Sequence, residues 1–147
     1  MPIDGVNLEF QALRYRLALT ACLLPFGLMT PILEVGPTHV FNPDWPAHAR
    51  LHEVWQLVTH CGLAALCLWL AWARGQVRLA TGIAAIVTGG FLAALALAPT
   101  YGGGMTHSDG TELAVAGVNV AVAVMAAAMA GLALIAWATR KDGRAAA

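Results

Sequence analysis

Five histidines, His39, His48, His52, His60 and His107, fall in or beside two stretches of the chain together with five of its eight acids, Glu34, Asp44, Glu53, Asp109 and Glu112. Imidazoles beside carboxylates move protons near neutral pH and hold transition metals. The densest run is Asn42-Pro43-Asp44-Trp45-Pro46-Ala47-His48-Ala49-Arg50-Leu51-His52-Glu53-Val54-Trp55-Gln56-Leu57-Val58-Thr59-His60. Asp44 is a suitable N-cap and Pro46 is tolerated in a first turn, so a helix is expected to start here. At about 100° per residue, His48, His52, Gln56 and His60 form a stripe that advances about 40° every four residues, with Thr59 inside it and Glu53 at its edge. The stripe descends roughly 18 Å along the helix axis, which predicts a polar shaft. His48 and His52 have the spacing at which two imidazoles share a metal ion. Metalloprotease chemistry is disfavoured, because His-Glu-x-x-His would need a histidine where the chain has Gln56. The plainer alternatives are interfacial positions for His39 and His48, a solvated loop for His107, and neutral, hydrogen-bonded imidazoles for His52 and His60.

The elements that carry these groups follow from composition. Among 147 residues, 59% are apolar and 11% charged, and the mean hydropathy is +0.70. A soluble globule of this size would expose too much apolar surface, which excludes nucleic-acid-binding, secreted disulfide-rich and disordered classes and points to an integral membrane protein. Cys22, Cys61 and Cys67 lie in apolar stretches without a Cys-x-x-Cys pair, which argues against thiol–disulfide exchange. A membrane helix needs about 20 apolar residues. Four such spans are expected, at about residues 17–34, 46–72, 79–98 and 112–138, forming a single all-α four-helix domain over residues 1–147. Gly36-Pro37, Asn42-Pro43, Arg74-Gly75, and Pro99 with Gly102 to Gly104 separate them. Asp4 and Glu9 before the first span, and the lack of a small-residue cleavage site after it, argue for a retained helix rather than a signal peptide.

Arg14, Arg16, Arg74, Arg78, Arg140, Lys141 and Arg144 lie at the termini or in the middle loop, with only Arg50 opposite. Both termini are therefore expected on the cytoplasmic side of a cell (plasma or inner) membrane, with the histidines at the outer end. Alanine and glycine in the fourth span, such as Gly117 with Ala121 and Ala127 with Gly131, suit close helix packing. Asp109 and Glu112 resemble a capping box that lacks its hydroxyl. Glu34 closes the first span, where the helix dipole disfavours an acid, so it should answer Arg50 or a histidine. Asn119, seven residues after Glu112, is expected nearly in phase with it on the fourth helix.

The run Asn42-Pro43-Asp44-Trp45-Pro46-x-His48-Ala49-Arg50-x-His52-x-x-Trp55-Gln56 resembles the signature of a family of small four-span membrane proteins of unassigned function. More distantly, the four-span layout, Ala49-Arg50-Leu51-His52 and the glycine-rich loop after the third span are similar to styrene oxide isomerase. That resemblance implies a homo-oligomer in the bilayer, a haem b held by His52, and Lewis-acid rearrangement of a small lipophilic epoxide to an aldehyde or ketone. The family's asparagine six residues on meets Val58 here, and its third-helix tyrosine meets an apolar residue near Leu97. Gln56, His60 or Tyr101 could substitute.

The resulting expectation is a haem- or metal-dependent membrane enzyme in which His52 is the ligand, His48 and Glu53 tune it, and Gln56, His60, Glu34, Tyr101, Glu112 and Asn119 supply pocket and proton-handling groups. Two other classes are kept: a non-haem metal enzyme using His48, His52 and His107 with an acid, and a proton-coupled carrier or sensor exchanging protons among His60, His52 and Glu34.

Overall fold

Each apolar run closes its own backbone hydrogen bonds, as hydrocarbon demands, and the result is four long helices. The computed structural model describes residues 3–145, with side chains from Glu9 to Asp142; the side chains of Asp4 and Arg144, used above, lie outside that description. The first span is α1 (Ile3–Leu24), a π-helical turn (Pro25–Met29) and α2 (Thr30–Glu34). The others are α3 (Ala47–Trp72), α4 (Val77–Tyr101) and α5 (Val120–Ala145), with β1 (Ala114–Val115) and β2 (Val118–Asn119) before α5. Four segments, Glu9–Glu34, Ala47–Trp72, Val77–Tyr101 and Val120–Asp142, are long and apolar enough to cross a membrane. The chain is an all-α, multi-pass membrane four-helix bundle.

The helices pack in a ring, α1 on α5, α5 on α4, α4 on α3, and α3 back on the π-helical turn. Leu19, Leu23 and Phe26 meet Ala64, Cys67, Leu70, Ala84, Met125, Leu132 and Ile135 in the core. Small residues set the spacing: a Cβ on Gly27 would fall 2.5 Å from the Cβ of Ala64. Pro25 cannot continue the regular hydrogen-bond ladder. The chain absorbs it as a π turn, in which the Thr30 N–H bonds the Pro25 carbonyl and the Thr30 hydroxyl donates to the same oxygen at 3.0 Å.

Several sequence-based boundaries are corrected. The first helix begins well before Leu17, since residues such as Glu9, Gln11 and Ala12 favour helix outside the hydrocarbon too. Pro99 lies inside α4, which stops at Gly102 (φ 73°). Asp44 does not cap α3: its N–H bonds the Asn42 side chain at 2.9 Å, and extended Pro46 occupies the N-cap position. The largest difference is residues 112–119, expected as helix and found as an antiparallel hairpin pairing Ala114 with Asn119 and Val115 with Val118. Ala116 (φ 52°) and Gly117 (φ 79°) form its turn, a left-handed pair that suits a two-residue hairpin and ends helix. Gly117 therefore takes no part in helix packing. Asn119 accepts the Val122 N–H at 3.2 Å and caps α5.

Candidate functional site

The two loops at the histidine-bearing end are tied together by Asn42, which is only 1% exposed. Its amide donates to the Thr38 carbonyl at 3.0 Å and to the Ser108 hydroxyl at 2.8 Å, and its oxygen accepts the Asp44 N–H. This single side chain fixes the 35–46 loop to the loop that follows α4. Asn42→Ala should lower unfolding stability by about 1–2 kcal/mol, because it removes three part-buried hydrogen bonds made by a buried side chain. A thermal midpoint unchanged in detergent would contradict that role.

Beneath the joined loops lies a cavity of about 610 Å3. Its polar wall includes Glu34, Thr38, His39, Glu53, Gln56, His107, Ser108 and Asn119, and its apolar wall includes Met29, Leu33, Trp45, Phe91, Met105, Val124 and Met125. Among the described residues, no lysine or arginine lines it. The tight turn after α2, with Val40 N–H bonded to the Glu34 carbonyl at 3.2 Å, folds His39 back so that its Nε2 lies 2.8 Å from Glu34 Oε2. The expectation that Glu34 answers Arg50 or a histidine resolves to His39. Arg50 instead donates to the Asn42 carbonyl at 3.4 Å.

Burial first, and then the neighbouring positive character of His107, hold His39 below the ordinary imidazole range, with Glu53 working in the opposite direction. The contact is therefore a hydrogen bond from neutral imidazole. The network assigns its tautomer: Nε2–H donates to Glu34, and Nδ1 accepts the Thr38 hydroxyl at 3.0 Å. The His39 ring meets Trp45 edge-on at 5.4 Å and His107 at 4.9 Å. His107 Nδ1 lies 3.0 Å from Thr111 Oγ1, and the Thr111 hydroxyl donates to Asp109 at 2.7 Å. Those Thr111 hydrogen bonds, side chain first, keep the Asp109 carboxyl below its usual range. Asp109 thus anchors a turn rather than a capping box.

A folded pKa below the unfolded one makes the sign of His39's contribution to stability definite. The unfolded chain takes up its proton near pH 6.5 before the folded chain does, so this contribution is complete above that value and is lost as pH falls toward the folded pKa. Melting midpoints measured from pH 7.5 down to 5 should drop in the wild type and drop less in His39→Gln. Parallel curves would refute a partly buried, neutral His39.

The shaft expected on α3 does not form, and helical geometry explains why. Over the twelve steps from His48 to His60 the stripe winds about 120°. Its top faces away from the cavity and its bottom faces the core. His48 and His52 are exposed, with Nε2 atoms 3.0 Å apart, and His52 packs against Trp55 at 5.8 Å. Glu53 and Gln56, at the edge and middle of the expected stripe, line the cavity instead. His60 packs edge-on to Phe26 at 5.9 Å, and its buried Nδ1 has no partner. His52, His60 and Glu34 are not linked by hydrogen bonds among the described residues.

The expected triple of His48, His52 and His107 is not assembled either, since His107 belongs to the His39 side. Among the described residues, no three His, Cys, Asp or Glu side chains are grouped to hold a metal ion. The haem implied by the resemblance fails a fit test within one chain: His52 is exposed outside the cavity, and its Nε2 is already met by His48. Tyr101 folds back to donate to the Ala94 carbonyl at 2.8 Å and is not a cavity residue. Asn119 and Glu112 do meet, at 3.0 Å, but across the hairpin rather than along a helix, and only Asn119 reaches the cavity.

Sequence reasoning undervalued His39 and missed Thr38, Trp45 and Ser108. A usable signal was present, since an acid that closes a helix just before Gly36-Pro37 needs a partner from the turn that follows. No family model, curated protein or solved structure matches this chain.

Proposed function

We propose that the protein is a membrane enzyme that isomerises a small lipophilic epoxide to a carbonyl compound in the cavity by acid–base chemistry. The observation that carries this reading is one cavity holding both the 2.8 Å Glu34–His39 pair and a second carboxyl, Glu53. Glu53 makes no hydrogen bond or ion pair among the described residues, so it is free to meet a substrate oxygen.

In the proposed reaction Glu53, as the acid, gives its proton to the epoxide oxygen. The more substituted C–O bond breaks, and a hydrogen moves with its electron pair from the adjacent carbon. The protonated carbonyl then returns its proton to Glu53. Reactant and product are isomers, so no water, electron or co-reactant is consumed. Positive charge developing on carbon is stabilised by the Glu34 carboxyl and by the rings of Trp45 and Phe91. Gln56 and Asn119 supply polar contacts for orienting the oxygen, while the methionines adapt to an apolar skeleton. On the charge rule, this end of the bundle faces away from the cytoplasm. The test incubates membranes with a panel of aryl and alkyl epoxides and follows carbonyl products; no product from wild type across the panel would overturn the reading.

A second reading is favoured by one observation, the convergence of His48 and His52 on an exposed face of α3 outside the cavity lining, with Nε2 atoms 3.0 Å apart. Two imidazoles so placed suit a transition-metal ion, or a haem covered by a second copy in a homo-oligomer. An absorption spectrum with metal analysis of protein purified with haem present separates the two readings. A Soret band or stoichiometric metal that His52→Ala abolishes and Glu53→Gln spares would establish the second, and a colourless, metal-free but active protein would eliminate it.

A further inference from the structure

We propose that the arginine-bearing end of the bundle holds the phosphate of an anionic phospholipid against Arg16 and Arg74. Arg16 projects from α1 with its guanidinium 5.9 Å from the Trp72 ring. That ring is fixed by its N–H, which donates at 3.1 Å to Thr20, one helical turn along α1. A Cβ built on Gly75 (φ 64°) would lie 3.8 Å from Arg16 Nη2, so the charge sits at the turn joining α3 to α4. Arg74, in the same turn, lies over Trp69 at 5.3 Å.

The charge balance here is incomplete. The carboxylate of Asp142 is taken by the Tyr15 hydroxyl at 2.6 Å and by Arg14 at 3.8 Å. Neither Arg16 nor Arg74 has a carboxylate partner among the described residues. Arg16 Nε is shielded and has no hydrogen-bond partner. A guanidinium partly withdrawn from water without an anion is unfavourable, and an oxyanion on its remaining N–H edge would offset that cost. The first turn of α4 beside it has no acidic residue and no side-chain cap, which leaves N–H groups facing the same turn. Trp69 and Trp72 are of the type that settles at headgroup depth. A lipid phosphate is supplied at that depth by the bilayer itself, whereas a soluble anion is not.

The test reconstitutes the full chain in nanodiscs of phosphatidylcholine containing phosphatidylglycerol and measures, by native mass spectrometry, which lipid stays bound. Wild type should retain phosphatidylglycerol preferentially. Arg16→Gln and, separately, the exposed Arg74→Gln should each lower that retention about five-fold, while Arg16→Lys keeps most of it. Arg140→Gln, a charge change on α5 rather than on α1 or in the turn, should change retention by less than about two-fold. An equal loss in Arg140→Gln would reduce the effect to diffuse surface charge. Displacement of the lipid by millimolar inorganic phosphate would make this a free-anion site. Either outcome overturns the proposal.

Discussion

Glu53→Gln should reduce carbonyl formation from a responsive epoxide by roughly 10²–10⁴-fold, the range that a positioned general acid contributes. Glutamine keeps the size of the side chain and can still orient an oxygen, but it has no proton to give. Because Glu53 lines the cavity and makes no hydrogen bond among the described residues, its replacement removes no contact that holds α3 in place. The melting midpoint should therefore be unchanged, separating lost chemistry from lost folding. His52→Ala in the same assay should leave turnover nearly intact, since that ring is exposed and does not line the cavity. Turnover in Glu53→Gln within about three-fold of wild type would remove Glu53 from the acid role, because a positioned general acid typically contributes about 10²-fold or more.

The opposite fates of Glu53 and His52, adjacent in sequence, mark where sequence reading reached its limit. The spans were legible because hydrocarbon leaves few alternatives to a long apolar helix, and, Arg50 apart, the segregation of histidine from arginine is kept in the fold. The direction of a helix face was not legible. A stripe spaced by four residues drifts, and only packing of Leu57, Ala64 and Cys67 into the core decides which part of the drift faces inward. Glu53 lies on that inward side and His52 does not. Residues 112–119 were misread for a related reason: Ala114, Val115 and Val118 are as apolar as a helix segment, and hydropathy is blind to the left-handed turn at Ala116 and Gly117. The Asn42 clamp was visible only as a motif, because its partners Thr38 and Ser108 come from two loops that sequence alone does not bring together. His39 looked like an ordinary interfacial residue for the same cause, although Glu34's unfavourable place at a helix end already called for such a partner.

Charge in the cavity leads to the other large effect. With Glu34 and Glu53 in the lining and no lysine or arginine among the described lining residues, the cavity favours positive charge over negative. A reaction that builds a cationic carbon benefits from that field only as the C–O bond breaks, whereas the neutral epoxide gains little from it. A lipophilic amine with the substrate's skeleton, protonated where the carbon becomes cationic, imitates the charge before any bond has broken. It should therefore inhibit turnover about 10²-fold more strongly than the isosteric alcohol, as expected for a partial transition-state mimic. The advantage should shrink in Glu34→Gln, which removes charge from the wall while leaving Glu53 to donate its proton. It should also fall when the amine is tested above its own pKa, where it is neutral. Equal inhibition by amine and alcohol would mean that the carboxyl groups do not act on charge at the reacting carbon. Tighter inhibition by a lipophilic carboxylate would be the reverse of what a lining with two acids and no lysine or arginine can produce, and it would rule out the cationic route altogether.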